Sequence, residues 1–265
     1  MERKEAVMLL VWGRRWYGKR LGYVGEFCEI CRRPQPFTLT KMTLIGHFWY
    51  LPMGTHYGSV HRGRCLQCGT EIDTARERYG NVARRKAPAR ELLDATFPNH
   101  EQVLKARLEA ERVVRGDPRA LAPETRDRLV DLPFVILSPI TERRFGKGTQ
   151  MDWPVGLALL SVVLLPILLD DAARAVAPDH EGTAVLAGVL IGLGLTVWQI
   201  AMVTGRWKRH YLLPRLRTAL APLKPTQADF DRVLSEMRQH GHRLGKVLRP
   251  QDLAPLAAPA ERRRS

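Results

Sequence analysis

The chain has 265 residues, with 42 Lys plus Arg against 27 Asp plus Glu and four cysteines, for a formal net charge of +15. Its 45% apolar content supplies a core for one large domain or two small ones, which argues against wholesale disorder and against a disulfide-dense secreted scaffold. A mean hydropathy of −0.22 conceals strong segregation. Residues 1–87 carry +9, residues 88–152 are neutral, residues 153–204 carry −3 and residues 205–265 carry +9. A basic total by itself suggests nucleic acid or an acidic surface as partner. Two basic blocks flanking an acidic, mostly apolar centre point to a membrane first.

At the N-terminus, the short apolar run Val7–Trp12 reads as a strand. It is too short for a signal peptide and its positive charges follow it, so no cleaved targeting segment is expected. The four cysteines then fall in two pairs, Cys28-x-x-Cys31 and Cys65-x-x-Cys68, with 33 residues between. Each pair presents two thiolates from one tight knuckle, and two knuckles supply the tetrahedral sulfur set that a Zn²⁺ ion takes at about 2.3 Å. Gly69 suits the left-handed backbone that closes such a knuckle, while Arg32 is a less typical residue there. The intervening length calls for a β-hairpin or a third strand. Phe37–Leu44 alternates with threonines, Gly46–Leu51 is aromatic, and Pro52, Gly54 and Gly58 mark a turn before Cys65.

Two other uses of the cysteines compete with zinc. Two disulfides would need an oxidising compartment, and a redox Cys-x-x-Cys would not come twice. His56 and His61 lie near the second pair as substitute ligands or as hairpin surface residues. A closed four-sulfur site keeps no open coordination position, so one structural zinc per chain is expected, with no catalytic residue. The succession Trp12-Gly13-Arg14-Arg15, Cys28-Glu29-Ile30-Cys31, Phe48-Trp49-Tyr50-Leu51-Pro52 and Cys65-Leu66-Gln67-Cys68-Gly69 resembles the small zinc-ribbon family of bacterial and fungal proteins. The likeness covers roughly residues 7–75. It implies a zinc-binding β fold without an established activity, and it carries over Cys28, Cys31, Cys65 and Cys68 as ligands. Arg32 stands where the family has glycine.

Between the cysteines and the apolar centre, Asn99 with Gln102 reads as a capping box and Gly116 as a helix stop. Val103, Leu104, Leu108 and Val114 form the apolar face, and the i, i+4 pairs Lys105–Glu109 and Arg107–Glu111 lie outside it. A second helix starts near Glu124 and ends before Pro133. This unit couples the ribbon to the membrane or packs on the ribbon as an arm.

No charge interrupts the 17 positions from Trp153 to Leu169 or the 22 from Thr183 to Thr204. The second run reaches roughly 33 Å as a helix and spans a hydrocarbon core, whereas the first reaches roughly 26 Å and needs Asp170, Asp171 and Arg174 near the far headgroups. The alternative is a hairpin buried in a soluble core. Residues 170–182 carry one Arg against four acids, while Arg143, Arg144, Lys147, Arg206, Lys208 and Arg209 flank the spans. The positive-inside rule therefore puts both termini in the cytoplasm, with Trp153 and Trp207 at the inner interface. Ala184, Gly188, Gly192 and Thr196 line one helix face for packing against the first span or as a dimer seam.

Beyond the spans, Leu213, Leu216, Leu220 and Leu223 among Arg215, Arg217 and Lys224 form a basic amphipathic helix, set in the interface or facing a core. Thr226 with Asp229 caps a helix carrying Phe230, Val233, Leu234 and Met237 and closed by Gly241. The expected architecture is a multidomain membrane protein. It has an all-β zinc ribbon over 1–80, a helical linker over 81–150, a two-helix transmembrane hairpin over 153–177 and 183–204, a basic amphipathic and helical tail over 205–249, and disorder over 250–265.

The expected role is a bacterial plasma-membrane protein whose cytosolic ribbon binds or scaffolds, and which is not an enzyme. Its partners are the lipid bilayer and a protein, or a second copy held through the transmembrane helices. The rival roles are a membrane-tethered nucleic-acid binder and an accessory subunit of a larger membrane complex. The first rival draws on Trp12–Arg20, where aromatics and cations interleave; anionic headgroups would use the same cations.

Overall fold

Four antiparallel strands follow one another across a single sheet in the order of the sequence: β1 (Trp12–Cys28), β2 (Arg33–Phe48), β3 (Leu51–Cys65) and β4 (Glu71–Thr74). The structure is a computed structural model and describes residues 12–48, 51–146, 152–176 and 181–257. Val7–Val11, Trp49 and Tyr50 lie outside the described residues. The two runs expected as separate strands, Phe37–Leu44 and the start of Gly46–Leu51, are one strand. The turn expected at Pro52, Gly54 and Gly58 is instead part of β3. Gly54 (φ 72°) and Gly58 (φ 150°) adopt conformations that only glycine takes readily, where the β2–β3 register shifts. These glycines let the strand bulge and continue.

Near the cysteines, Val24, Phe37 and Leu39 are buried on one face, and the Tyr79 hydroxyl donates to Glu26 Oε2 at 2.9 Å. Helix α1 (Ala89–Thr96) lies across Gly25, whose N–H donates to Thr96 Oγ1 at 3.0 Å; a Cβ there would meet Leu93 N at 2.3 Å. Helix α2 (His100–Gly116) joins it, so that Phe27, Leu93, Phe97 and Leu104 form a cluster with Leu108 packed against it. Asn99 does not form the expected capping box. It sits in the left-handed region at φ 57° and makes no side-chain cap, because it serves the tight turn between α1 and α2. The buried stripe runs Leu104, Leu108, Glu111 and Val114, at spacings of four and three; Val103 falls beside it and is exposed.

The chain divides into two units, the first ending at Arg126 and the second beginning at Asp127, so α1 and α2 belong with the sheet. Helix α3 (Pro123–Phe145) does not stop before Pro133 but continues through Pro133 and Pro139. Each internal proline removes a backbone donor, a cost of about 3 kcal/mol in an isolated helix. Burial of Leu129, Val130, Phe134 and Leu137, at about 1.5–3 kcal/mol each, offsets it.

Two helices are long and apolar enough to cross a membrane, α4 (Trp153–Val176) and α5 (Glu181–Trp207). Helix α4 passes Pro166 unbroken and continues beyond the charge-free run, its far turn carrying an Arg174–Asp170 pair at 2.6 Å. Gly188 and Gly192 face α4 so closely that a Cβ would come within 2.6 Å of Pro166 N and 2.7 Å of Val162 Cα. These two small residues are thus engaged inside the hairpin. At the other end Arg206 grips Asp152 at 2.9 and 3.0 Å, and this guanidinium holds the Asp152 carboxyl below the usual carboxylate range. Trp153 is exposed, but Trp207 is buried in protein, edge-on to Phe145 at 5.2 Å and stacked on Tyr211 at 5.4 Å, rather than free for an interface.

A π-helical turn, Lys208–Leu212, leads into α6 (Leu213–Leu220), where Leu216 and Leu220, with Leu223 beyond, are buried. Of the two readings of this helix, the core-facing one holds. The capping box of α7 (Gln227–Gln239) forms, with Thr226 N–H donating to Asp229 Oδ2 at 2.7 Å and Asp229 N–H donating to Thr226 Oγ1 at 3.3 Å. Disorder from residue 250 is not found as far as residue 257: α8 (Arg243–Val247) is followed by α9 (Pro250–Leu253), with Leu253 fully buried. Asp252 accepts from Arg249 N–H at 2.9 Å and from Lys208 Nζ at 2.7 Å. That anchor was hidden by the Pro, Ala and Arg around it; residues 258–265 lie outside the described residues.

The helix contact makes a differential prediction. Gly188→Leu should lower the thermal midpoint of the detergent-solubilised protein by several degrees, the overpacking costing about 1–3 kcal/mol. Gly194→Leu, where nothing lies within 4 Å, should leave it unchanged.

Candidate metal centre

Cys28 ends β1 and Cys65 ends β3, and the turns after each carry the second cysteine of the pair. Antiparallel pairing brings both turns to one end of the sheet, with Phe37 opposite Cys65 and Cys28 opposite Arg33. The sulfurs of Cys28 and Cys68 are 3.6 Å apart, those of Cys31 and Cys65 are 3.9 Å apart, and all four lie within 4.8 Å of one another. Four sulfurs at about 2.3 Å from a tetrahedral ion would be about 3.8 Å apart, whereas a disulfide needs about 2.05 Å. The cluster therefore fits one metal ion, and the four cysteines are free thiols. His56 and His61 lie on β3 outside this ligand group.

The two turns have the same backbone form. Arg32 N–H donates to Cys28 O at 2.7 Å and Gly69 N–H to Cys65 O at 2.9 Å, with Arg32 at φ 55° and Gly69 at φ 70°. Cys31 N–H approaches Cys28 Sγ at 3.4 Å, and Cys68 Sγ contacts Thr70 Oγ1 at 3.2 Å. Hydrogen bonds from Cys28 and Cys31 bring Cys65 down to about 7, and those from Cys28, Cys31 and Cys65 bring Cys68 much lower. Hydrogen bonds to Cys31, Cys65 and Cys68 push Cys28 up. A cation bound by the four sulfurs would displace their protons.

Arg32 occupies a backbone conformation that costs a residue with a Cβ about 1 kcal/mol or more. Its side chain shows what holds it there. The guanidinium meets Glu111 of α2 through Nε at 3.0 Å and Nη2 at 2.9 Å, both side chains about 95% buried. Arg107 joins Glu111 at 3.1 Å and also pairs with Glu29, between the first two cysteines. Desolvation pulls the Arg32 pKa down and pushes Glu29 up, as expected for ions in a dry site. Arg107 and Glu111 were expected on the solvent side of α2. The signal that placed Glu111 inward was its position on the Leu104–Leu108–Val114 stripe, masked by its charge.

No family model, curated protein or solved structure matches the chain. What the fold and site define is a four-stranded sheet with a four-cysteine cluster at its closed end.

Removing one partner of the buried pair leaves an uncompensated ion. Glu111→Ala should destabilise the first unit by about 3–5 kcal/mol in denaturant titrations of the full chain. Adding Arg32→Gly should recover most of that loss, because it removes the stranded charge and suits the left-handed backbone.

Proposed function

We propose that this chain is an integral membrane protein of the bacterial plasma membrane whose cytosolic zinc ribbon is a binding or scaffolding module, not an enzyme. The observation that carries this reading is the four-sulfur cluster. Soft thiolates in a tetrahedral set favour Zn²⁺ or iron, and a structural zinc needs neither redox partner nor open position. With all four ligands supplied by the chain, the ion's role is to tie the β1–β2 and β3–β4 turns together. The family likeness over residues 7–75 agrees with this assignment and rests chiefly on the cysteines.

The membrane part of the reading is supported by surface. Only 11% of the most apolar stretch of the first candidate span and 17% of that of the second are buried inside the protein, although both are strongly apolar. A helix at the centre of a soluble domain would bury most of such a stretch. The surrounding charges favour both termini on the cytoplasmic side. A protein partner, or a second copy meeting through other faces of α4 and α5, completes the proposal. An accessory-subunit role in a larger membrane complex would use the same surfaces.

Two measurements test it. Metal analysis of the purified full chain should give about one zinc per chain, and chelation should unfold the sheet unit, because ligand assembly and folding are coupled. Iron in its place, or a metal-free chain that keeps its sheet, would remove the zinc assignment. Reporter fusions after Gln150, Asp179 and Arg217 should read cytoplasmic, exported and cytoplasmic. An intracellular Asp179 fusion would make the first segment re-entrant or interfacial.

A further inference from the structure

Strands β1 to β3 extend well past the buried rows at Val24, Phe37 and Leu39. Over residues 14–25 and 33–70 the chain holds eight Lys and Arg and no Asp or Glu. Strand pairing sorts these cations by face. On one face stand, row by row, Tyr23 beside Thr38 and Arg64, Arg20 beside Thr40 and Arg62, and Gly18 beside Met42 and Val60. Trp16, opposite Leu44, extends the same face and is 46% exposed. The Arg20 guanidinium lies 4.3 Å over the Tyr23 ring, and that of Arg14 lies 4.2 Å over exposed Tyr57. The other face brings Lys19, Lys41 and His61 abreast, with Tyr17 and Arg15 beyond.

A groove of about 400 Å³ crosses the arginine face, lined by Thr38, Thr40, Met42, Arg62 and Arg64 with Glu71 at its β4 edge, and ends beside Cys65. Arg62 is held at it by Glu71 at 3.4 Å and Asp73 at 3.2 Å on β4. No ion pair joins Arg14, Arg20 or Arg64 to an acid among the described residues, although Glu71 of β4 stands opposite Arg64.

We infer that this face of arginines, aromatics and groove binds single-stranded nucleic acid. The inference names a partner class for the proposed ribbon module and rests on that reading. Guanidinium groups pair with phosphate through two parallel donors and stack on planar rings, which ammonium groups do not. Exposed Trp16 and Tyr57, the latter carrying Arg14 over one ring face, supply aromatic surface on which bases of any sequence can stack. Threonine hydroxyls in the groove both donate and accept, which suits sugars and base edges. Anionic lipid headgroups respond to charge without regard to rings or groove, so a bilayer would engage the lysine face equally.

The test uses the full chain in nanodiscs of neutral lipid, with a short fluorescein-labelled oligouridylate followed by anisotropy across a salt series. Three unpaired arginines should give log K against log salt a slope of about −2, at about 0.7 per phosphate on a single strand. Trp16→Ala should weaken binding about tenfold through lost stacking. Arg20→Glu with Arg64→Glu should weaken it by about tenfold or more, and Lys19→Glu with Lys41→Glu by less than about threefold. Equal losses from the two double variants would overturn the inference, as would adsorption to phosphatidylglycerol vesicles with no oligonucleotide binding. Zinc is measured on the same samples. A zinc-loaded chain that ignores the oligonucleotide overturns the inference and leaves the ribbon reading standing; a zinc-free chain overturns the ribbon reading as well.

Discussion

Bringing residues 28 and 68 within 3.6 Å is the constraint from which the first unit follows. Its strands run to 17 residues, yet among the described residues the large buried side chains of the sheet, such as Val24, Phe37 and Leu39, lie toward the cysteine end. Burial alone specifies register only where one face is covered, and a slip of one residue would turn every side chain over. Four sulfurs converging on one point admit a single register, because Cys65 must face Phe37 and Cys28 must face Arg33. The uncovered part of the hairpin inherits that register row by row. Its glycine bulges then bend the outer strands without unpairing them.

The second consequence concerns α2. A buried ion pair is weak support for stability, since desolvating both partners offsets much of their attraction. Here the pair ties a strained turn to a helix. Arg32 stays in its left-handed conformation while its guanidinium reaches Glu111, and Arg107 extends the link to Glu29 inside the same knuckle. A metal ion held by the four cysteines would brace the turn that carries Arg32 and Glu29, and with it the polar contact that seats α2. The four-cysteine cluster and the helical cover of the sheet are therefore linked through one network of charges.

What could be read from the sequence was what depends on near neighbours. The paired cysteines, the Thr226–Asp229 box, the stop at Gly116 and the charge-free runs each carry their signal within a few residues. Two local signals also misled, the Asn99–Gln102 box and the turn at Pro52, Gly54 and Gly58, but the other failures have a different cause: they depend on which face a residue presents. Pro133 and Pro139 stay inside α3 because the helix is buried along Leu129–Leu137. Glu111 looked like a solvent charge and is buried; Trp207 looked like an interface anchor and is packed on Phe145 and Tyr211. Leu253 in a tail of Pro and Ala is decided by a distant pocket of protein, which no local composition reveals.

The same distinction bears on charge. In the second unit many cations close on acids of that unit: Arg206 on Asp152, Lys208 on Asp252, Arg232 on Asp131 and Arg243 on Glu142. A total of +15 thus overstates how much positive field that unit projects. In the first unit the helices mix both signs, while the stretches 14–25 and 33–70 contain no acid at all. Only β4, with Glu71 and Asp73 against Arg62, interrupts the positive surface. Opposite charges at about 3 Å largely cancel each other's field, whereas an unpaired guanidinium projects its field out to about one Debye length, roughly 8 Å at physiological salt. The field available to an anionic partner is therefore concentrated on the outer hairpin, with the four-cysteine cluster at its base.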